Sequence, residues 1–204
     1  MKSEKKSQLE FIVLMAALMS IVALSIDALL PALPAIGDYL GVNDPLENQK
    51  LITMIFLGLG IGQLIFGPLS DSLGRKPIVY IGFGLFIVAS FICLTTKSFE
   101  MMVAGRILQG VGLACPRTMT IAMIRDSYSG DYMAKIISIV VMIFILVPVV
   151  APTFGQFLMK FYSWKFILSF TLLYGILIMI WFWWRQPETF DLKNKLPFRF
   201  QFTK

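Results

Sequence analysis

Six long apolar runs constrain this chain more than any other feature: residues 11–35, 51–69, 78–96, 101–124, 136–159 and 166–184. Wound as a helix, roughly 20 such residues cross a hydrocarbon core of about 30 Å. Lipid offers a bare backbone no hydrogen-bond partners, so each run is expected as helix and not as strand. Hydrophobic residues make up 57% of the 204, and the mean hydropathy is +0.78. A soluble domain of this size leaves too much surface in water to bury that fraction. The expected fold is therefore an all-α membrane protein, a six-helix transmembrane bundle over residues 9–185. Residues 1–8 read as a cytoplasmic N-terminus, and residues 186–204 as a cytoplasmic tail or the start of a linker. Lys2, Lys5 and Lys6 ahead of the first run imitate a signal peptide. That run is too long for a signal core, and no small-x-small cleavage site follows it.

Orientation follows from the loop lysines and arginines. Twelve lie on the side of the N-terminus and four on the other, with Arg106 and Arg117 inside a span. This predicts a multi-pass membrane protein with both termini in the cytoplasm. The net charge of +6 is then topological and calls for no nucleic-acid partner. Histidine is absent, and Cys93 and Cys115 lie singly in apolar runs, so neither a metal spacing nor a disulfide framework appears. An intramembrane serine protease needs a Ser–His pair, and an aspartyl protease needs two deep carboxylates. Only Asp27 is deep, so the chain is not expected to be an enzyme or to need a cofactor.

Ionisable residues inside a span are costly and are functional candidates by default. Asp27 lies roughly 13 Å, and Arg106 roughly 9 Å, below the outer ends of their helices at about 1.5 Å per residue. Their depths match and their charges oppose, so they are expected to face a common interior and to pair. Burial and a nearby cation act on a carboxylate's proton in opposite senses, so such a site exchanges a proton as its access changes. Arg117, eleven residues after Arg106, shares its helix face, and that face is expected to line a cavity or a protein interface. In the fifth run Pro148, Pro152 and Gln156 share a face, with Gly155 beside it. Gly58 and Gly62 suggest close helix packing. Between the second and third runs lies a short segment, Gly67 to Pro77, holding Asp71, Arg75 and Lys76, which reads as a tight cytoplasmic turn.

That segment, Gly67-Pro-Leu-Ser-Asp71-Ser-Leu-Gly74-Arg75-Lys76-Pro77, resembles the signature loop of the major facilitator superfamily. Asp27-Ala-Leu-Leu-Pro31-Ala-Leu-Pro34 resembles the first-helix motif of its drug exporters. Arg106-Ile-Leu-Gln109-Gly110 resembles the fourth-helix motif linked to proton coupling, with Arg125-Asp126 at that helix's cytoplasmic end. Ala151-Pro152-Thr-Phe-Gly155-Gln156 resembles the antiporter motif, but has Ala151 and Gln156 where glycines are usual. The whole is most similar to the Bcr/CflA branch of multidrug exporters. The resemblance implies one half of a twelve-helix fold, built as two three-helix inverted repeats with the substrate site between halves. It implies proton-driven export of small amphipathic drugs or metabolites by alternating access. Asp27 and Arg106 would couple protons, while Gln109 and Arg117 would line the substrate cavity. Gly67, Asp71, Gly74, Arg75, Lys76, Asp126, Pro152 and Gly155 would gate. Partners would be a small-molecule substrate, protons, the bilayer, and either a missing C-terminal half or a second copy. The alternatives are an importer of the same superfamily, or a truncated or stand-alone six-helix protein without transport.

Overall fold

The computed structural model describes residues 2–190. It is all helical over them: α1 (Lys2–Asp27), a 3-10 turn (Leu30–Ala32), α2 (Leu33–Leu40), α3 (Pro45–Leu73), α4 (Arg75–Thr95), α5 (Phe99–Ser127), α6 (Gly130–Phe161) and α7 (Trp164–Arg185). With α1 and α2 taken as one segment, six are long and apolar enough to cross a membrane. Local chemistry sets the starts. The Asp44 carboxylate accepts from the Leu46 amide at 2.9 Å, with Pro45 at the first helical position. The Ser98 hydroxyl accepts from the Met101 amide at 3.3 Å.

Two expectations change. The first apolar run is one crossing but not one helix. It breaks after Asp27 because Pro31 has no N–H for the Asp27 carbonyl and Pro34 none for that of Leu30. The second run does not end at a turn near Gly67. Helix α3 continues through Pro68 to Leu73, and the connection to α4 is Gly74 alone, at φ 101°. Only glycine adopts that backbone without strain. The stretch Asp191–Lys204, with Lys193, Lys195 and Arg199, lies outside the described residues.

Four helix pairs build the core: α3 with α5, α4 with α5, α1 with α6 and α4 with α7. Glycines let the backbones meet. A methyl at Gly58 would sit 2.0 Å from the Ile107 carbonyl oxygen, and one at Gly110 would sit 2.1 Å from that of Ile55. A methyl at Gly62 would meet the Ala114 side chain at 2.5 Å. Gly58 and Gly62 thus serve α3–α5 contact, which in lipid rests on close packing and not on water exclusion. Leu14, Leu18, Phe83, Phe86 and Met119 fill the space between the pairs. Much apolar surface stays open on α3 and α6, including Leu64, Ile145 and Val149.

Gly58→Ala is expected to force α3 from α5 and cost about 1–3 kcal/mol. Gly60→Ala, on the same helix but facing open space, is expected to cost almost nothing. Thermal unfolding of the two purified variants checks this; equal melting temperatures would contradict the packing described.

Candidate functional site

Two polar centres stand out, one in the middle of the bundle and one at the end that carries the α3–α4 turn. In the middle, Arg106 on α5 is fully buried. Its Nη1 donates to Gln109 Oε1 at 2.6 Å, both terminal nitrogens donate to the Ser25 carbonyl at 3.4 Å, and Nε donates to the Leu51 carbonyl at 3.3 Å. Gln109 Nε2 in turn donates to Ser90 Oγ at 2.8 Å. One guanidinium therefore gathers α1, α3 and α5 directly, and α4 through Gln109. A buried charge of this kind is tolerable only when its donors are satisfied.

The expected Asp27–Arg106 ion pair does not form. Among the described residues, no cation lies within salt-bridge distance of Asp27. Arg106 reaches α1 at the Ser25 carbonyl, and Asp27, two residues on and still helical, lies about 200° around α1 from Ser25; its side chain is half-buried. Arg106 meets carbonyl dipoles of the α1 and α3 backbones instead. The link from Arg106 to Asp27 is thus the α1 backbone, two residues long. Gln109 is likewise not at a cavity wall; it is fully buried as the bridge from Arg106 to Ser90. Arg117 is half-buried, and its guanidinium lies 5.5 Å from the centre of the Phe144 ring of α6. Gly155 of α6 packs against the α1 break itself, where a methyl would sit 2.1 Å from the Ala28 carbonyl oxygen. Pro152, half-buried, lies one turn from it on α6.

At the other centre Arg75 bonds three acceptors: Asp71 at 2.6 Å, Asp126 at 3.0 Å and Ser70 Oγ at 2.5 Å. The structure thus brings Asp71, Arg75 and Asp126 together, from α3, α4 and α5. Glu188, just beyond α7, completes the centre. Its carboxylate accepts from the backbone amides of Arg75 at 3.1 Å and Lys76 at 3.0 Å. These are orphan donors of the first turn of α4, where the helix dipole favours an anion. Thr189 and Phe190 donate their amides to the same carboxylate, and the Phe190 ring lies 4.8 Å from the Arg75 guanidinium carbon. Gly74 is needed here a second time, since a methyl on it would come within 2.9 Å of Glu188. Lys76 reaches the Trp183 carbonyl at 3.4 Å. A methyl on Gly67 would meet nothing within 4 Å, and Gly67 borders a cleft of about 230 Å³ lined by α3, Arg75 and α5.

Sequence reasoning missed Glu188, Ser25, Ser90 and Leu51. Glu188 is one of few acids beyond the last apolar run, which was a usable signal. Ser25 and Leu51 act through backbone carbonyls, which carry no residue signature.

Six helices long and apolar enough to cross a membrane, around a buried arginine and with a charged cluster at one end, define a multi-pass membrane protein. The family model of the Major Facilitator Superfamily matches residues 15–203, and the chain belongs to that superfamily. It is 32% identical over 197 residues to a bicyclomycin resistance protein homolog of Haemophilus influenzae, covering 97% of this chain and 49% of that one. It is 34% identical over 168 residues to a chloramphenicol resistance protein of Pseudomonas aeruginosa, covering 82% and 40%. The fold matches the crystal structure of the human organic anion transporter MFSD10, with TM-score 0.71 at 17% identity, over 91% of this chain and 49% of that one. The chain spans about half the length of the curated relatives it matches. The bundle is accordingly one half of a twelve-helix major facilitator fold.

Glu188→Ala is expected to free the Arg75 and Lys76 amides and speed their hydrogen exchange, while amides in the middle of α5 stay protected. Unchanged exchange at residues 75 and 76 would contradict the contact.

Proposed function

We propose that this chain is the N-terminal half of a proton-driven exporter of small amphipathic drugs in a bacterial inner membrane, with both termini in the cytoplasm. The carrying observation is the clamp on the α1 break. Arg106 holds the Ser25 carbonyl from one side, Gly155 packs on the Ala28 carbonyl from another, and Asp27 lies between them in sequence. A proton on Asp27 changes the charge of a segment pinned to α5 and packed on α6. Removing that charge alters what the segment favours in its surroundings, and so biases the bundle between inward and outward states. Arg106 is here a positioning residue that fixes the α1 backbone, not an ion-pair partner. The substrate cavity would lie against Arg117 and Phe144, closed on its far side by the second half. Asp71, Arg75, Asp126 and Glu188 would latch the cytoplasmic end in one state. The names of the bicyclomycin and chloramphenicol resistance relatives support drugs as the substrate class.

The test uses a twelve-helix transporter carrying this sequence as its first half, in everted vesicles, with ethidium as the probe. Asp27→Asn is expected to insert normally and to lose proton-driven ethidium transport, while Asp27→Glu keeps part of it. Undiminished transport by Asp27→Asn under a proton gradient would overturn the mechanism.

A further inference from the structure

A cavity of about 410 Å³ lies between α1, α6 and α7, apart from both centres described above. On α6 it is lined by Ile143, Val147, Val150 and Phe154, spaced as one helix face. Pro152 and Gln156 each lie two residues from this face, about 200° around the helix. The cavity therefore opens on the side of α6 opposite the face that Pro148, Pro152 and Gln156 share. Its rim residues, Leu146 and Val150, are apolar and 54% and 62% exposed. The adjoining outer side of α7, with Leu173 and Leu177, is apolar and exposed as well. With this chain alone in a bilayer, such a surface on a membrane-crossing helix meets hydrocarbon.

The cavity wall also carries aromatic rings and one polar point. Phe154 and Phe170 lie 5.1 Å apart between ring centres, and Phe170 is nearly parallel to Tyr174. The Tyr174 hydroxyl is 2.8 Å from Ser20 Oγ, which itself donates to the Ala17 carbonyl at 2.9 Å. Serine has one proton, and the Ala17 carbonyl takes it. The Ser20–Tyr174 bond must then use the tyrosine proton. Both hydroxyl protons are spent, and what Tyr174 offers the cavity is an acceptor oxygen with no donor beside it. An apolar cavity of this volume with one oriented polar group has the make-up of a small-molecule site.

We propose that this cavity is a second binding site, entered from the lipid, for an aromatic apolar molecule that carries an N–H or O–H donor. The donor bonds Tyr174, and the ring lies against Phe154 and Phe170. A ligand with acceptors only is disfavoured, because its polar atom would face a lone pair.

The test is fluorescence titration of this chain in nanodiscs of phosphatidylethanolamine and phosphatidylglycerol, with 1-aminoanthracene as the donor-bearing probe and anthracene as its donor-free counterpart. Saturable binding of 1-aminoanthracene is expected, and Val150→Trp, which fills the mouth from an exposed position, is expected to abolish it. Tyr174→Phe is expected to weaken 1-aminoanthracene by about three- to tenfold, the worth of one hydrogen bond, and to leave anthracene unchanged. Ser20→Ala releases the tyrosine proton and is expected to admit the acceptor-only probe 9-anthraldehyde. Signal that rises in proportion to lipid without saturating would show a groove filled by acyl chains alone and would overturn the proposal. So would binding insensitive to Val150→Trp, equal weakening of both probes by Tyr174→Phe, or no gain of 9-anthraldehyde binding in Ser20→Ala. The readout needs no transport, so its failure leaves the exporter reading untouched.

Discussion

A guanidinium that never sees water is the interaction on which this bundle depends. Lipid and protein both lack the dielectric to carry an isolated charge, so Arg106 is admissible only where oxygen atoms converge on it. Ser25, Leu51 and Gln109 supply them, and Ser90 holds Gln109 in turn. Those partners come from α1, α3, α5 and α4, so their convergence sets how these helices pack around Arg106. The glycine contacts follow from the same demand. The carbonyls of Leu51 and Ser25 reach Arg106 only if α3 and α1 lie close to it, and Gly58 and Gly110 allow that approach between α3 and α5.

The two three-helix sets repeat one contact. Gly58 of α3 meets the carbonyl of Ile107 on α5, and Gly155 of α6 meets the carbonyl of Ala28 on α1. The residue before Ile107 is Arg106; the residue before Ala28 is Asp27. The inverted repeat thus places a cation and a carboxylate at matching points, each beside a glycine-mediated crossing. The match is broken by proline. Pro31 unwinds the chain after Asp27, whereas α5 runs on unbroken past Arg106 through Pro116. One charge is locked into the core, and its counterpart is left at the break.

The six crossings, the cluster of Asp71, Arg75 and Asp126, and the close packing of Gly58 and Gly62 were legible in the sequence because each rests on side-chain type and spacing. The Asp27–Arg106 pair was misread for a physical reason. Matching depth and opposite charge predict attraction only if both side chains share a face, and Asp27 lies about 200° around α1 from Ser25, the residue Arg106 reaches. Gln109 was misplaced because a glutamine on a helix face fits a cavity wall or a buried bridge equally well. The rest was silent: backbone carbonyls hold Arg106, and backbone amides hold Glu188.

Glu188 has a mechanical consequence. The turn it grips joins the second and third crossings, while Glu188 itself leaves the sixth, and Asp126 ends the fourth. Both three-helix sets are therefore riveted together at one end by bonds that resist sliding.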